Sequence, residues 1–204
     1  RSIDMIAWFL FQRKSIPSIY ALDANFNVFP FVDDAGNFTI QNDNSVTFDT
    51  DHAIFNKTSG QKLHFIGSET FNLQEKLEIE CRVRNGASGQ GQHTLFELVG
   101  SSSLLRLTMQ NNSAYRLVLT GATGGNIDNY DVLGGINITY ENYVDVKVIF
   151  DAIAGTLKSY VNNVLDINIS GITPRLNESR VMNLSGYTTL PLKAWVDYFR
   201  VKVG

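Results

Sequence analysis

Between Tyr143 and Ile169 hydrophobic and polar residues alternate with a period of two. Val144, Val146, Val148 and Phe150 fall on one face of a β-strand, and Tyr143, Asp145, Lys147 and Ile149 on the other. Asp151 to Gly155 is a short loop ending in a residue that can reverse the chain. A second run places Leu157 and Val161 inward and Lys158 and Tyr160 outward. Asn162-Asn163 then supplies two residues that tolerate left-handed backbone, as a two-residue hairpin requires. Leu165, Ile167 and Ile169 form a third alternating run. The pattern predicts a three-stranded antiparallel meander with one buried face.

The same alternation recurs elsewhere. Leu77, Ile79, Cys81 and Val83 point inward, while Glu78, Glu80, Arg82 and Arg84 point outward. Shorter strands are expected at Ser45–Asp49, Ala53–Phe55, Lys62–Ile66, His93–Val99, Leu104–Met109, Tyr115–Thr120 and Arg180–Leu184. Trp195–Val203 closes the sheet with Phe199 and Val201 inward. Tyr20 to Phe31 reads as irregular, Asp33 to Asn37 as a turn, and Gly121 to Gly135 as a long polar loop with flexible glycine pairs at its ends. Asn85 to Gln92 is glycine-rich but lacks the lysine ending of a phosphate loop. More than ten short strands specify an all-β fold, an antiparallel sandwich or jelly roll.

One helix precedes them. Ser2 can cap a helix running to Lys14, with Asp4 in its first turn and Arg13 and Lys14 in its last. Its apolar run, Met5 to Phe11, is too short to span a bilayer. Ile3, Ile6 and Leu10 form a stripe that either docks on the sandwich or packs against copies of itself, giving a homo-oligomer through residues 3–10. The expected organisation is residues 1–24 as helix and linker and residues 25–204 as the sandwich.

The chain has 204 residues, 44% hydrophobic and 18% charged, with a net charge of −3 and one cysteine. This suits one large globular domain and argues against nucleic acid as a partner. No internal disulfide is possible. Seven N-x-[ST] sequons begin at Asn37, Asn56, Asn111, Asn137, Asn168, Asn177 and Asn183, which count as glycosylation sites only in a eukaryotic secreted protein.

Four segments resemble one family. Tyr143–Asp151 with Gly155–Asn163 is similar to the "WHHVAVTYDG..GTLKLYVDG" stretch of laminin G-like domains, within the concanavalin A-like lectin/glucanase jelly rolls. Ala194–Lys202 is similar to the family's "G.IDEVRIY", Asn44–Asp49 to its first core strand, and Leu77–Val83 to its "FTLSAWV" strand. Their order and spacing agree over roughly residues 30–203. Tyr143 stands where the family has Trp, and Asn162-Asn163 where it has Asp-Gly. The resemblance implies the jelly-roll fold and leaves function open among glycan binding, adhesion and structural roles.

No catalytic triad, HExxH or paired Cys/His spacing occurs. Glu78 and Glu80 lie about 7 Å apart on one strand face, within the range of glycosidase carboxylate pairs. The hydrolase motif E-x-D-x-x-E of some relatives is absent, and a charged stripe paired with Lys147 and Asp145 is the alternative reading. Glycan binding needs an aromatic ring and fixed amides or carboxylates on rim loops. Asn126, Asp128, Asn129, Tyr130 and Asp131 of the 121–135 loop, with Tyr187, supply them. The outward face bearing Tyr143, Tyr160 and Lys158 is the second place to look. Lectin-like jelly rolls often hold calcium at the rim, which the resemblance extends to Asp49 and Asp51. The expected role is non-catalytic recognition of a glycan or cell-surface receptor, in an extracellular, cell-surface or virion setting such as a phage tail or bacterial surface. A glycoside hydrolase or a purely structural domain are the alternatives.

Overall fold

The structure is a computed structural model that describes residues 20, 22–26, 35–43, 46–49, 51–56, 62–67, 76–86, 91–100, 103–111, 115–123, 130–139, 142–172, 181–185 and 193–204. The expected N-terminal helix and the self-association stripe at residues 3–10 lie outside them. Among the described residues all regular structure is β.

Sheet A contains β1 (Leu22–Asn25), β3 (Thr47–Phe48), β4 (Ala53–Asn56), β6 (Lys76–Asn85), β11 (Tyr143–Asp151), β12 (Thr156–Val161), β13 (Val164–Ser170) and β15 (Lys193–Val203). Its order is β13-β12-β11-β6-β15-β4-β3. Sheet B contains β2 (Phe38–Asp43), β5 (Lys62–Gly67), β7 (Gly91–Val99), β8 (Ser103–Asn111), β9 (Tyr115–Thr123), β10 (Tyr130–Leu133) and β14 (Val181–Ser185). Its order is β10-β9-β8-β7-β14-β5-β2. The two sheets meet through their apolar faces. Phe199 of sheet A stacks on Phe65 of sheet B at 5.3 Å between ring centroids, and Phe96 tilts against it at 5.9 Å. Burying each such ring contributes about 1.5–3 kcal/mol.

The meander forms as the alternation predicts. Val144, Val146, Val148, Phe150, Leu157 and Val161 are buried, and Asn162 and Asn163 take φ of 49° and 65°. Asn162 also fixes its own turn, its Oδ1 accepting the Asp145 N–H at 2.9 Å. The third strand departs from simple alternation. A bulge opposite Ser159 and Tyr160 makes Asp166 an extra residue, so Ile167 is buried while Leu165 is exposed.

Two stretches expected to be irregular are strands. Leu22–Asn25 pairs with residues 198–201 of β15, and Leu22 and Ala24 are fully buried. Leu-Asp-Ala-Asn has little strand propensity of its own, so the pairing is set by its partner. The described ends of the expected 121–135 loop are mostly strand: β9 runs on to Thr123, and Tyr130–Leu133 pairs back along it from Gly121 to Val118. β15 carries a bulge between Val196 and Tyr198. There its outer neighbour changes from β4 to β1, and the buried set shifts from Ala194 and Val196 to Phe199 and Val201.

Candidate functional site

The outward face of sheet A carries the densest chemistry among the described residues. β6 is its axis, because β11 and β15 flank it in register along nearly its whole length. Lys147 of β11 stands opposite Glu80. Its Nζ lies 2.8 Å from Glu80 Oε1 and 3.1 Å from Glu78 Oε1. Partial burial pushes the Glu78 pKa up, but hydrogen bonding and the Lys147 charge outweigh it and hold the carboxyl below its ordinary range. These same bonds raise the Lys147 pKa against the opposing effect of burial. The carboxylate pair that resembled a glycosidase pair is thus bridged by an ammonium, and Glu78 is not poised as a protonated acid. The expected charged stripe is present but half-buried.

One row along, Arg82 lies 3.4 Å from Asp197 and 3.8 Å from Asp145. The Tyr198 hydroxyl donates to Asp145 at 3.2 Å. Burial first, then the Asp145 charge, pushes the Tyr198 pKa up. On the far side Arg200 binds Asp23 of β1 at 2.7 Å and stacks on Tyr198 at 4.4 Å. Glu80, Asp145, Val146, Lys147, Asn163 and Tyr198 line a shallow depression of about 130 Å³.

The next row is aromatic. Tyr143 and Trp195 are the register partners of Arg84 on its two sides. The Arg84 guanidinium lies 4.2 Å over the indole and 5.5 Å from the phenol ring. Gly86 makes room for the indole, since a Cβ there would lie 2.3 Å from Trp195 Cζ3. His52 stacks on Tyr143 at 5.5 Å. Asp49 Oδ1 stands 3.1 Å from His52 Nδ1, and His52 Nε2 shares a hydrogen bond with the Tyr143 hydroxyl.

Two of the six residues expected to bind a glycan fall among the described residues. Asn126, Asp128, Asn129 and Tyr187 lie outside the described residues. Tyr130 and Asp131 begin β10, and Asp131 is exposed. Gly134 and Gly135 are no flexible hinge, because Asp166 Oδ1 accepts the N–H of Gly135 and of Ile136, each at 2.8 Å. Asp49 is engaged as a turn cap. Its Oδ1 accepts the N–H of Asp51 and of His52, which with the His52 ring outweighs partial burial and lowers its pKa. No group of three or more His, Cys, Asp or Glu among the described residues could hold a metal ion. Of the sequon asparagines, Asn37, Asn56, Asn137 and Asn168 are exposed. Asn183 is buried with its amide on Glu97. Sequence reasoning missed Arg84, Trp195, Tyr198, Asn163 and His52 as neighbours. They come from four separate segments, and only the inter-strand register brings them together.

No protein-family model matches the chain, and no curated protein matches it. Solved structures share its fold. The binding domain of botulinum neurotoxin serotype G superposes with a TM-score of 0.71 at 14% identity, covering 89% of this chain and 47% of that one. The carbohydrate recognition domain of Emp47p gives 0.60 at 14% identity, covering 92% and 96%. A SAP-like pentraxin from Limulus polyphemus gives 0.56 at 11% identity, covering 72% and 73%. The chain spans about half the length of the toxin binding domain. These likenesses establish a two-sheet antiparallel β-sandwich fold.

Proposed function

We propose that this domain is a non-catalytic module that recognises a glycan or a glycosylated cell surface, and that the outward face of sheet A is its binding surface. The observation that carries this reading is the depression between Tyr198, Asn163, Asp145, Glu80 and Lys147. Its carboxylates, ammonium and phenol are held in place by mutual contacts, and its amide by the hairpin turn. Sugar hydroxyls require such a fixed mixture of donors and acceptors beside a ring. The reading draws further support from neighbours that include a carbohydrate recognition domain and botulinum neurotoxin type C, whose cell entry depends on interaction with two ganglioside molecules. The laminin G-like resemblance fits the same role, as does an extracellular, cell-surface or virion location with residues 3–10 as a self-association segment.

Glycan-array binding, run with and without EDTA, tests it. Asn163→Gly keeps the left-handed turn while removing the amide, and Tyr198→Phe removes the hydroxyl. Each should weaken binding about 2- to 10-fold, the worth of one hydrogen bond. If both variants bind normally while Tyr130→Ala with Asp128→Ala abolishes binding, the site is at the 121–135 rim. Release of reducing sugar that disappears in Glu80→Gln would make the domain a hydrolase.

A further inference from the structure

Arg84 differs from its neighbours. Among the described residues, Arg82, Arg106 and Arg200 each have a carboxylate partner, at 3.4, 3.3 and 2.7 Å. Arg84 has none, and its Nε is buried with no hydrogen-bond partner. A half-buried, unpaired guanidinium is costly unless something meets its N–H groups. Aromatic residues flank it on both neighbouring strands, with the guanidinium carbon 4.2 Å from the Trp195 ring centroid and 5.5 Å from that of Tyr143. Rings on both sides restrict the guanidinium and leave its N–H groups as the route by which a ligand meets it. An in-plane fork of parallel N–H groups matches the two oxygens of a carboxylate. The nearby acidic groups are already engaged, Asp197 by Arg82 and Asp49 by its own turn.

The geometry points to Arg84, clamped between Tyr143 and Trp195, as the receptor for the carboxylate of an acidic sugar. This deepens the glycan reading and rests on it for the sugar, but not for the anion. The stack lies in the register row beside the one that holds Asp145, Arg82 and Tyr198. A glycan lying along β6 therefore spans both, with its hydroxyls in the depression and its acid group at Arg84. The uncharged edge of the sugar meets no open aromatic face here, because Trp195 is also packed over Gly86 and Tyr143 is covered by His52. The stack is thus built for the charge and not for ring stacking.

The test uses the ¹⁵N-labelled domain titrated with glucuronate, with glucose, and with sodium sulfate, following the Trp195 indole and Arg84 guanidinium resonances. Glucuronate should give saturable shifts and glucose none. Arg84→Gln should abolish the Trp195 shift, and Arg84→Lys should weaken binding at least several-fold, since an ammonium lacks the planar fork. Circular dichroism and the melting curve show that both variants are folded. Equal shifts in Arg84→Gln, or sulfate shifts matching those of glucuronate, would overturn the assignment. An array that finds no glycan while glucuronate still shifts Trp195 removes the glycan reading and keeps the carboxylate site. Array binding with no glucuronate shift does the reverse.

Discussion

Asp166 holds Gly135 by its backbone: Oδ1 accepts the N–H at 2.8 Å and reaches Ile136 equally well. The bulge in β13 projects this carboxylate from the edge of sheet A onto the segment leaving β10, the edge of sheet B. One side chain thereby ties the two sheets at their neighbouring margins. Its Oδ2 is packed so close to Gly134 that a Cβ there would lie 2.0 Å away.

Asp166→Ala should therefore cost about 1–3 kcal/mol by removing two hydrogen bonds to a carboxylate. Gly134→Ala should also destabilise by pushing the carboxylate out, whereas Gly135→Ala, whose Cβ meets nothing within 4 Å, should be near neutral. The double variant Asp166→Ala/Gly134→Ala should cost less than the sum of the singles, since both act on one contact. Urea unfolding of the four proteins decides this, and strict additivity would show that the two residues act separately.

Phe199 is fully buried between Phe65 and Phe96. Phe199→Ala should lower stability by about 3–5 kcal/mol through loss of burial and an uncollapsed cavity. A melting temperature unchanged within error would mean the two sheets do not pack through this ring.

Lys147 sets the response to acid. The Glu78 pKa is lowered in the folded protein, so its contribution is present above the ordinary glutamate range and is lost as pH falls through the folded value. Wild-type stability should thus decline on acidification from pH 6 to 3. In Lys147→Met, Glu78 and Glu80 face each other unbridged, and protonating one relieves repulsion. The variant should be less stable than wild type at pH 7, and the gap should narrow toward pH 4. Denaturation midpoints across that range settle it, and parallel curves for the two proteins would rule it out.

Cys81 is fully buried at the centre of β6. Burial, and next the Asp145 and Glu80 charges, push its thiol pKa far up. It should resist a disulfide exchange reagent at pH 8 while the protein is folded and react fully in denaturant. Modification of the native protein at the rate of a free thiol would show that β6 opens locally.

The meander was legible because its information is local. Val144 to Phe150 alternate without interruption, and Asn162-Asn163 suit only one kind of turn. The alternation of β6 was equally plain. β1 was not legible, because only pairing with β15 makes Leu22-Asp-Ala-Asn25 a strand. The hairpin of β9 and β10 was hidden by Gly121 and the polar residues around it. The Arg84 stack needs three strands in register, and Tyr143, Arg84 and Trp195 are each unremarkable alone. Asp166 reads as one polar position in an alternating run until the bulge turns it toward Gly134.

The central place of β6 has a consequence for biosynthesis. Its partner β11 follows some sixty positions later and β15 well over a hundred. During translation β6 emerges with both edges unpaired and with Leu77, Ile79, Cys81 and Val83 uncovered. Sheet A cannot be completed until β15 has left the ribosome, and closure over so long a span is slow. In the interval the nascent chain exposes a long apolar strand of the kind that pairs with other chains, which makes shielding by a chaperone, or rapid capture by the β11–β13 hairpins, the step that governs yield.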